Sequence, residues 1–298
     1  MKNRFLNYMM NNDPKKVVSK GGIKFRKLIY PILRAIAIII SPSKLHIVRK
    51  AEVPKGSPVI YSSTHGFRDD VAVAVMATNN PFYFLVGNAK HFLNSFDGIL
   101  VWLNGAAVFD REDSNSRKSA LPKMRYAIEL GANILIYTEG TWNLTDSLLV
   151  LKLFGGIYDL AKATSTLVAP IITHIEGKNC YAILDEPFDI TAYNREEGIA
   201  ILRDKMATAK FELMEKYSYY SRKDLEANGK SLRVSWEEYK EVMISQVKHY
   251  YPMEHEVFQF KDKSIIEYAE AFAHLDVIEI KKENAFLLRP SRLEVNDD

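Results

Sequence analysis

The sequence predicts an α/β domain, preceded by a basic, apolar helical head and followed by a mostly helical extension. Three observations carry that prediction. Between residues 48 and 205, short apolar runs rich in β-branched residues alternate with helix-patterned segments, the signature of strand–helix–strand units. Of the 298 residues, 47% are hydrophobic and 26% charged, with only 14 Gly and 11 Pro. That composition supports a large core and excludes collagen-like and disordered chains. Charge is also divided unevenly. Of 40 Lys and Arg, 12 fall within residues 1–50, where Asp13 is the sole acid, while the remainder is net acidic. The predicted organisation is therefore a head over 1–44, an α/β domain over 45–205 and an extension over 206–298.

The head carries a 13-residue apolar run, Leu28 to Ile40, broken by one charge, Arg34. As a helix it spans about 20 Å, against a bilayer hydrocarbon core of about 30 Å. Pro31 further weakens a spanning reading, and Ser41-Pro42-Ser43 offers no signal-peptide cleavage site. Lys15, Lys16, Lys20, Lys24, Arg26 and Lys27 precede the run. A basic stretch leading into an apolar one suits a helix lying in the interface of an anionic membrane, where each cation contributes roughly 1 kcal/mol. A core helix with a solvated basic face fits the same pattern. A nucleic-acid partner does not fit, since the head lacks interleaved aromatics and a recognisable module.

The elements follow in order. Val48–Pro54 reads as a strand ahead of a turn at Lys55-Gly56, and Val59–Tyr61 as a second. Val71–Ala77 suits strand or helix by pattern, but Asp69 and Asp70 ahead of it favour a helix. Phe82–Val86 and Ala106–Phe109 read as strands, Ser116–Leu130 as a helix ended by Gly131, and Asn133–Tyr137 as a buried strand. Tyr158–Ala163 is helical. Thr166–Ile172 and Cys180–Leu184 complete the strands. Beyond Asn194 the pattern turns helical, clearest at Ile199–Tyr217, Trp236–His249 and Ser264–His274.

Cysteine usage limits the chemistry. Cys180 is the single cysteine, which excludes an intramolecular disulfide and a cysteine-rich zinc site. The seven His are scattered with no zincin-type pair, so no metal is expected. A reducing compartment is the default.

Three constellations stand directly after predicted strands. The first is His65-Gly66-Phe67-Arg68-Asp69-Asp70. Five positions on one helix turn through about 500°, so His65 and Asp70 meet only if His65 lies in the loop and Asp70 in the first helical turn. A His held by a carboxylate is a competent general base for a hydroxyl. A surface His beside a capping Asp is the alternative. The second is Gly105 to Arg111, a strand ending in Asp110-Arg111, whose guanidinium suits phosphate oxygens or a strand-end ion pair. The third is Glu139-Gly140-Thr141-Trp142, where Gly140 permits a tight turn and Glu139 offers an acceptor to a bound hydroxyl. An ordinary helix N-terminus is the alternative there.

With Ala169-Pro170, these stretches resemble, in order and spacing, the four blocks of the glycerolipid acyltransferase family. That family includes bacterial 1-acylglycerol-3-phosphate acyltransferases and related lysophospholipid acyltransferases. Its first block, His-four residues-Asp, is met by His65 and Asp70. Its second, Gly-two residues-Phe-Ile-Asp-Arg, is met by Gly105 and Asp110-Arg111. Its third, Phe-Pro-Glu-Gly-Thr-Arg, is met by Glu139-Gly140-Thr141, and its Val-Pro block by Ala169-Pro170. The resemblance covers roughly residues 25–205. It implies a mixed β-sheet flanked by helices, interfacial N-terminal helices, and attachment to the cytoplasmic face of a membrane. It implies His65 as base oriented by Asp70, and acceptor binding by Arg111, Glu139, Gly140 and Thr141. The acceptor is then a lysophospholipid, and the acyl donor a thioester of coenzyme A or acyl carrier protein, or an acyl-phosphate, with no separate cofactor. The alternatives are a phosphate-free lipid or amine acceptor on the same fold, and a membrane lipid-binding protein without turnover. Two departures stand out. Trp142 replaces the third block's Arg and carries no charge for a phosphate; it suits stacking on a sugar or acyl chain instead. Thr173 stands where the fourth block has a second Pro. His174 reads as structural, and Tyr217, Tyr219 and Tyr220 as packing at a helix end.

Overall fold

The computed structural model describes residues 2–66, 70–87, 96–110, 113–140, 143, 149–176 and 178–217. The helices expected over Trp236–His249 and Ser264–His274, with Tyr219 and Tyr220, lie outside the described residues.

Seven strands form one sheet: β1 Lys44–Lys50, β2 Ile60–Ser63, β3 Phe82–Gly87, β4 Ala106–Phe109, β5 Asn133–Tyr137, β6 Val168–Glu176 and β7 Asn179–Leu184. Their spatial order is β1-β7-β6-β2-β5-β3-β4. The strands β6, β2, β5, β3 and β4 run parallel. The strand β7 returns antiparallel to β6, and β1 pairs parallel to β7. The sheet is therefore mixed, and the parallel part has one common carboxyl edge, the place where open α/β sheets bind ligands.

Eight helices accompany the sheet among the described residues: α1 Lys2–Asn11, α2 Pro14–Val17, α3 Lys20–Ile39, α4 Asp70–Thr78, α5 Phe96–Asn104, α6 Ser114–Glu129, α7 Gly156–Thr164 and α8 Arg195–Tyr217. On one face α4 packs on β1, β6 and β7, with α3 over α4 and α5. On the other, α6 packs on β3, β4 and β5, α7 on β2, and α8 on β6 and β7. Strand alternation feeds both layers. Tyr61, Phe82, Phe84 and Leu135 pack toward α4, while Ile60, Ile134 and Ile136 pack toward α6, α7 and α8. The strands β2 and β6 are buried on both faces, and β6 accordingly opens as an apolar run without alternation, Val168–Ile172.

Several boundaries differ from the sequence reading. The first strand begins at Lys44, four residues earlier than expected, because its partner β7 pairs Lys44 with Asn179 and Lys50 with Leu184. Its polar residues face solvent along a sheet edge, which hid it in the basic head. The strand β6 runs to Glu176 because it closes a hairpin with β7, Glu176 facing Asn179. The apolar segment that forms α5 was not anticipated as a helix. The helix α8 runs unbroken past residue 205, with Leu213 fully buried.

The head is helical over Lys2–Asn11, Pro14–Val17 and Lys20–Ile39. Ser19 caps α3 through Gly22 N–H (3.0 Å), so the helix starts eight residues before the apolar run and includes Lys20, Lys24 and Lys27. Ile23, Tyr30 and Leu33 are buried against the domain. Phe25, Leu28, Ile32 and Ile39 form an exposed stripe on another face, Leu28 at 76% and Ile39 at 79% exposure. Among the described residues no helix is long and apolar enough to cross a membrane. The helix α1 covers the edge strand β4, which removes an open strand from solvent. Lys123 on α6 fastens it, donating to the Met10 carbonyl and to Ser119 Oγ. Burial pushes the Lys123 ammonium down to about 8.

Candidate active site

The described residues of the three constellations lie at the carboxyl edge of the parallel strands. His65 follows β2, Asp110 follows β4 and Glu139 follows β5. Arg111, Thr141 and Trp142 lie outside the described residues, as does Asp69, the competing partner for His65.

Asp70 opens α4 and His65 lies in the loop before it, the single arrangement that lets residues five apart meet here. His65 Nδ1 is 2.7 Å from Asp70 Oδ2, with His65 5% and Asp70 0% exposed. Gly66 N–H donates to the same oxygen (3.0 Å) and the Tyr137 hydroxyl to Asp70 Oδ1 (3.2 Å). An ionised carboxylate only accepts, so Nδ1 carries the hydrogen and the Nε2 lone pair is left as the basic atom. The Tyr137 ring stacks on the imidazole at 3.9 Å with a 20° interplanar angle. Burial, then the neighbouring Asp70 charge, hold the Tyr137 hydroxyl well above its ordinary pKa of 10.0, so it is a persistent donor.

The loop carrying His65 is fastened from three sides. Glu139 is fully buried; its Oε1 accepts from His65 N–H (3.2 Å) and its Oε2 from Leu151 N–H (2.8 Å). Asn143 N–H donates to the His65 carbonyl (2.6 Å). One residue earlier, Thr64 Oγ1 accepts from Thr173 N–H (2.8 Å). This last bond accounts for Thr173: a proline there would have no N–H to give. Two glycines allow the close approach. A Cβ on Gly66 would lie 2.7 Å from the Asn143 carbonyl oxygen. Gly140 has φ +69°, and a Cβ there would enter the Phe154 ring.

An apolar cavity of about 440 Å³ opens beside His65, a usual size for a small-ligand pocket. It straddles the ends of β3, β4 and β5 between α4 and α5 on one side and α6 and α7 on the other. Phe84, Val101, Leu121, Met124 and Ile136 line its depth, and Gly140 and Phe154 lie in its wall. Arg117, from the first turn of α6, adds a cation to the lining.

The sequence reading placed His65, Asp70, Glu139 and Gly140 together, and the structure brings these four to one edge. It passed over Tyr137, Thr64 and Arg117. The available signal was positional: Tyr137 and Thr64 flank the strand ends that carry Glu139 and His65, and Arg117 opens the helix after β4. His174 is buried and lies 3.4 Å from Lys210 Nζ. Tyr217 ends α8 and stacks on Tyr181 at 3.9 Å.

The site is thus a buried His–Asp pair at the carboxyl edge of a mixed sheet, with an apolar cavity beside it. Residues 44–174 match the family described as Acyltransferase. The fold is similar to the crystal structure of the 1-acyl-sn-glycerophosphate (LPA) acyltransferase PlsC from Thermotoga maritima. The TM-score is 0.51 at 16% identity, covering 72% of this chain and 90% of that one; at this identity the likeness is one of fold. No curated protein matches the sequence.

Proposed function

We propose that the protein is a membrane-associated O-acyltransferase that moves a fatty acyl chain from a thioester to a lysophospholipid such as 1-acylglycerol-3-phosphate. The observation that carries this reading is the buried His65–Asp70 pair, with Nδ1 tied to the carboxylate at 2.7 Å, beside an apolar cavity. In the reaction, Nε2 of His65 removes the acceptor hydroxyl proton as that oxygen attacks the thioester carbonyl. The carbon–sulfur bond breaks, and the departing thiolate takes the proton back from the imidazolium. Asp70 stabilises the imidazolium and fixes its tautomer. The donor is acyl-coenzyme A or acyl carrier protein. Arg111 supplies charge to the acceptor phosphate, and Gly140, Thr141 and Trp142 contribute to acceptor binding. Glu139 serves the acceptor indirectly, through the loops it fastens.

The test is product identification. Acyl thioesters of both kinds are supplied with phosphate-bearing and phosphate-free lyso-lipids and amines, and products are read by mass spectrometry. Phosphatidic acid as the main product supports the reading. An acylated phosphate-free product assigns the Trp142 departure to a changed acceptor. No transfer from any pairing overturns the enzyme assignment.

The cavity is proposed to hold the acyl chain. Ala120 lines it from α6 and is 6% exposed. Ala120→Trp, which fills the cavity from one wall, is expected to shift donor preference toward shorter chains. The check is relative kcat/KM across a series of chain lengths; a fixed preference would place the chain elsewhere.

The exposed stripe of α3 is proposed to dock the protein on a membrane surface, at the cytoplasmic face. Fully burying a Leu or Ile side chain contributes about 1.5–3 kcal/mol. Leu28→Glu with Ile32→Glu is therefore expected to weaken binding to anionic vesicles by about 100-fold or more, measured by flotation. Since both side chains are solvent-exposed, at 76% and 63%, the fold should survive.

A further inference from the structure

We propose that Tyr137 is a positioning residue that sets the charge and orientation of the Asp70 carboxylate, and through it the basicity of His65. The proposal rests on the general-base reading of His65. In the third block of the resembled family this position, two before Glu, is Phe. A Phe supplies the ring; the tyrosine here adds a hydroxyl.

The geometry gives each part of the side chain its own task. The ring lies flat against the imidazole, 3.9 Å between centroids at 20°, which limits imidazole tilt. The hydroxyl reaches Asp70 Oδ1 at 3.2 Å, while His65 Nδ1 and Gly66 N–H hold Oδ2 at 2.7 and 3.0 Å. Donors on both oxygens fix the carboxylate plane. A donor on Oδ1 also draws negative charge away from the atom facing the imidazole. Asp70 then attracts the imidazolium less strongly, and His65 is a weaker base than with phenylalanine at position 137.

Other charged and titratable groups surround the pair. Glu139, at the end of β5, accepts from His65 N–H. Cys180 on β7 lies within electrostatic reach of Tyr137. Arg117 on α6 shares the cavity lining with His65. Tyr137→Phe leaves all of these in place and removes one donor, so its effect reads the hydroxyl alone.

The experiment compares wild type, Tyr137→Phe, Tyr137→Leu and His65→Ala. The first readout needs no substrate: the downfield proton resonance of His65 Nδ1–H in the intact protein, assigned by its loss in His65→Ala. The second is kcat/KM against pH. In Tyr137→Phe the resonance is expected to move further downfield. The acid limb of the profile is expected to move to higher pH, with turnover below that limb falling about two- to tenfold, the range for one hydrogen bond. Tyr137→Leu also removes the stack and should lose more activity. A Tyr137→Phe variant with unchanged resonance and unchanged profile overturns the proposal, whatever its rate. Full activity in His65→Ala would instead remove the general-base reading, while a shifted resonance in Tyr137→Phe would still establish the link between Tyr137 and Asp70.

Discussion

His65→Ala is expected to lower acyl transfer by about 10²–10⁴-fold and to leave the protein folded. The rate effect follows from the atom that is lost. Nε2 is the basic atom of the pair, and no other imidazole lies in the cavity lining among the described residues. The fold should tolerate the change because the loop is held by backbone bonds. Glu139 and Asn143 grip the His65 N–H and carbonyl, and alanine keeps both. Asp70→Asn is the informative companion. It keeps the size but replaces an acceptor oxygen with an amide, so Nδ1–H loses its charged partner or the tautomer reverses. Its loss should approach that of His65→Ala, and the double variant should fall little further, because residues acting as one unit are non-additive. Single losses that multiplied in the double variant would show two independent roles. Parallel circular dichroism and thermal melts separate misfolding from lost chemistry.

The parts that were legible in the sequence share a physical property: their chemistry is local. The strand β6 opens as an apolar run because both of its faces are covered. The His65–Asp70 spacing implied a loop and a helix start because no continuous helix brings them together. What was hidden depends on distant partners. The strand β1 is half solvent-exposed and defined by its pairing with residues 179–184, 135 positions away at its first rung, Lys44 with Asn179. Thr173 looked like a departure from a block; its reason is Thr64, 109 positions earlier. Tyr137 read as the last residue of a strand, yet its hydroxyl meets Asp70 across 67 positions. Glu139 read as a group facing substrate because a carboxylate after a strand end suits a ligand. Its two backbone partners, at His65 and Leu151, come from other segments, and no pattern within residues 139–142 announces them.

Glu139→Ala is expected to cause the second large loss, through a different route. Both carboxylate oxygens accept backbone N–H groups, 3.2 Å to His65 and 2.8 Å to Leu151, in a place closed to water. Alanine leaves those donors without this acceptor at about 1–3 kcal/mol each, a melting temperature lower by on the order of 10 °C. Activity should fall by about 100-fold or more, since a displacement of about 1 Å at the reacting group can cost that much. Glutamine is not a mild substitute here. Its amide has one acceptor oxygen and one NH₂, so at one of the two sites a donor would face a donor. Glu139→Gln should therefore lose stability as well, by less than alanine does. This pattern distinguishes a fastening role from direct contact with the acceptor. A residue that only binds acceptor raises its KM and leaves both the melting temperature and the His65 Nδ1–H resonance in place. A fastening residue lowers the melting temperature, moves that resonance and reduces kcat at saturating acceptor. Thermal melts, the substrate-free resonance and the split between kcat and KM thus assign Glu139 to one role or the other, and a KM-only effect would return it to the acceptor site.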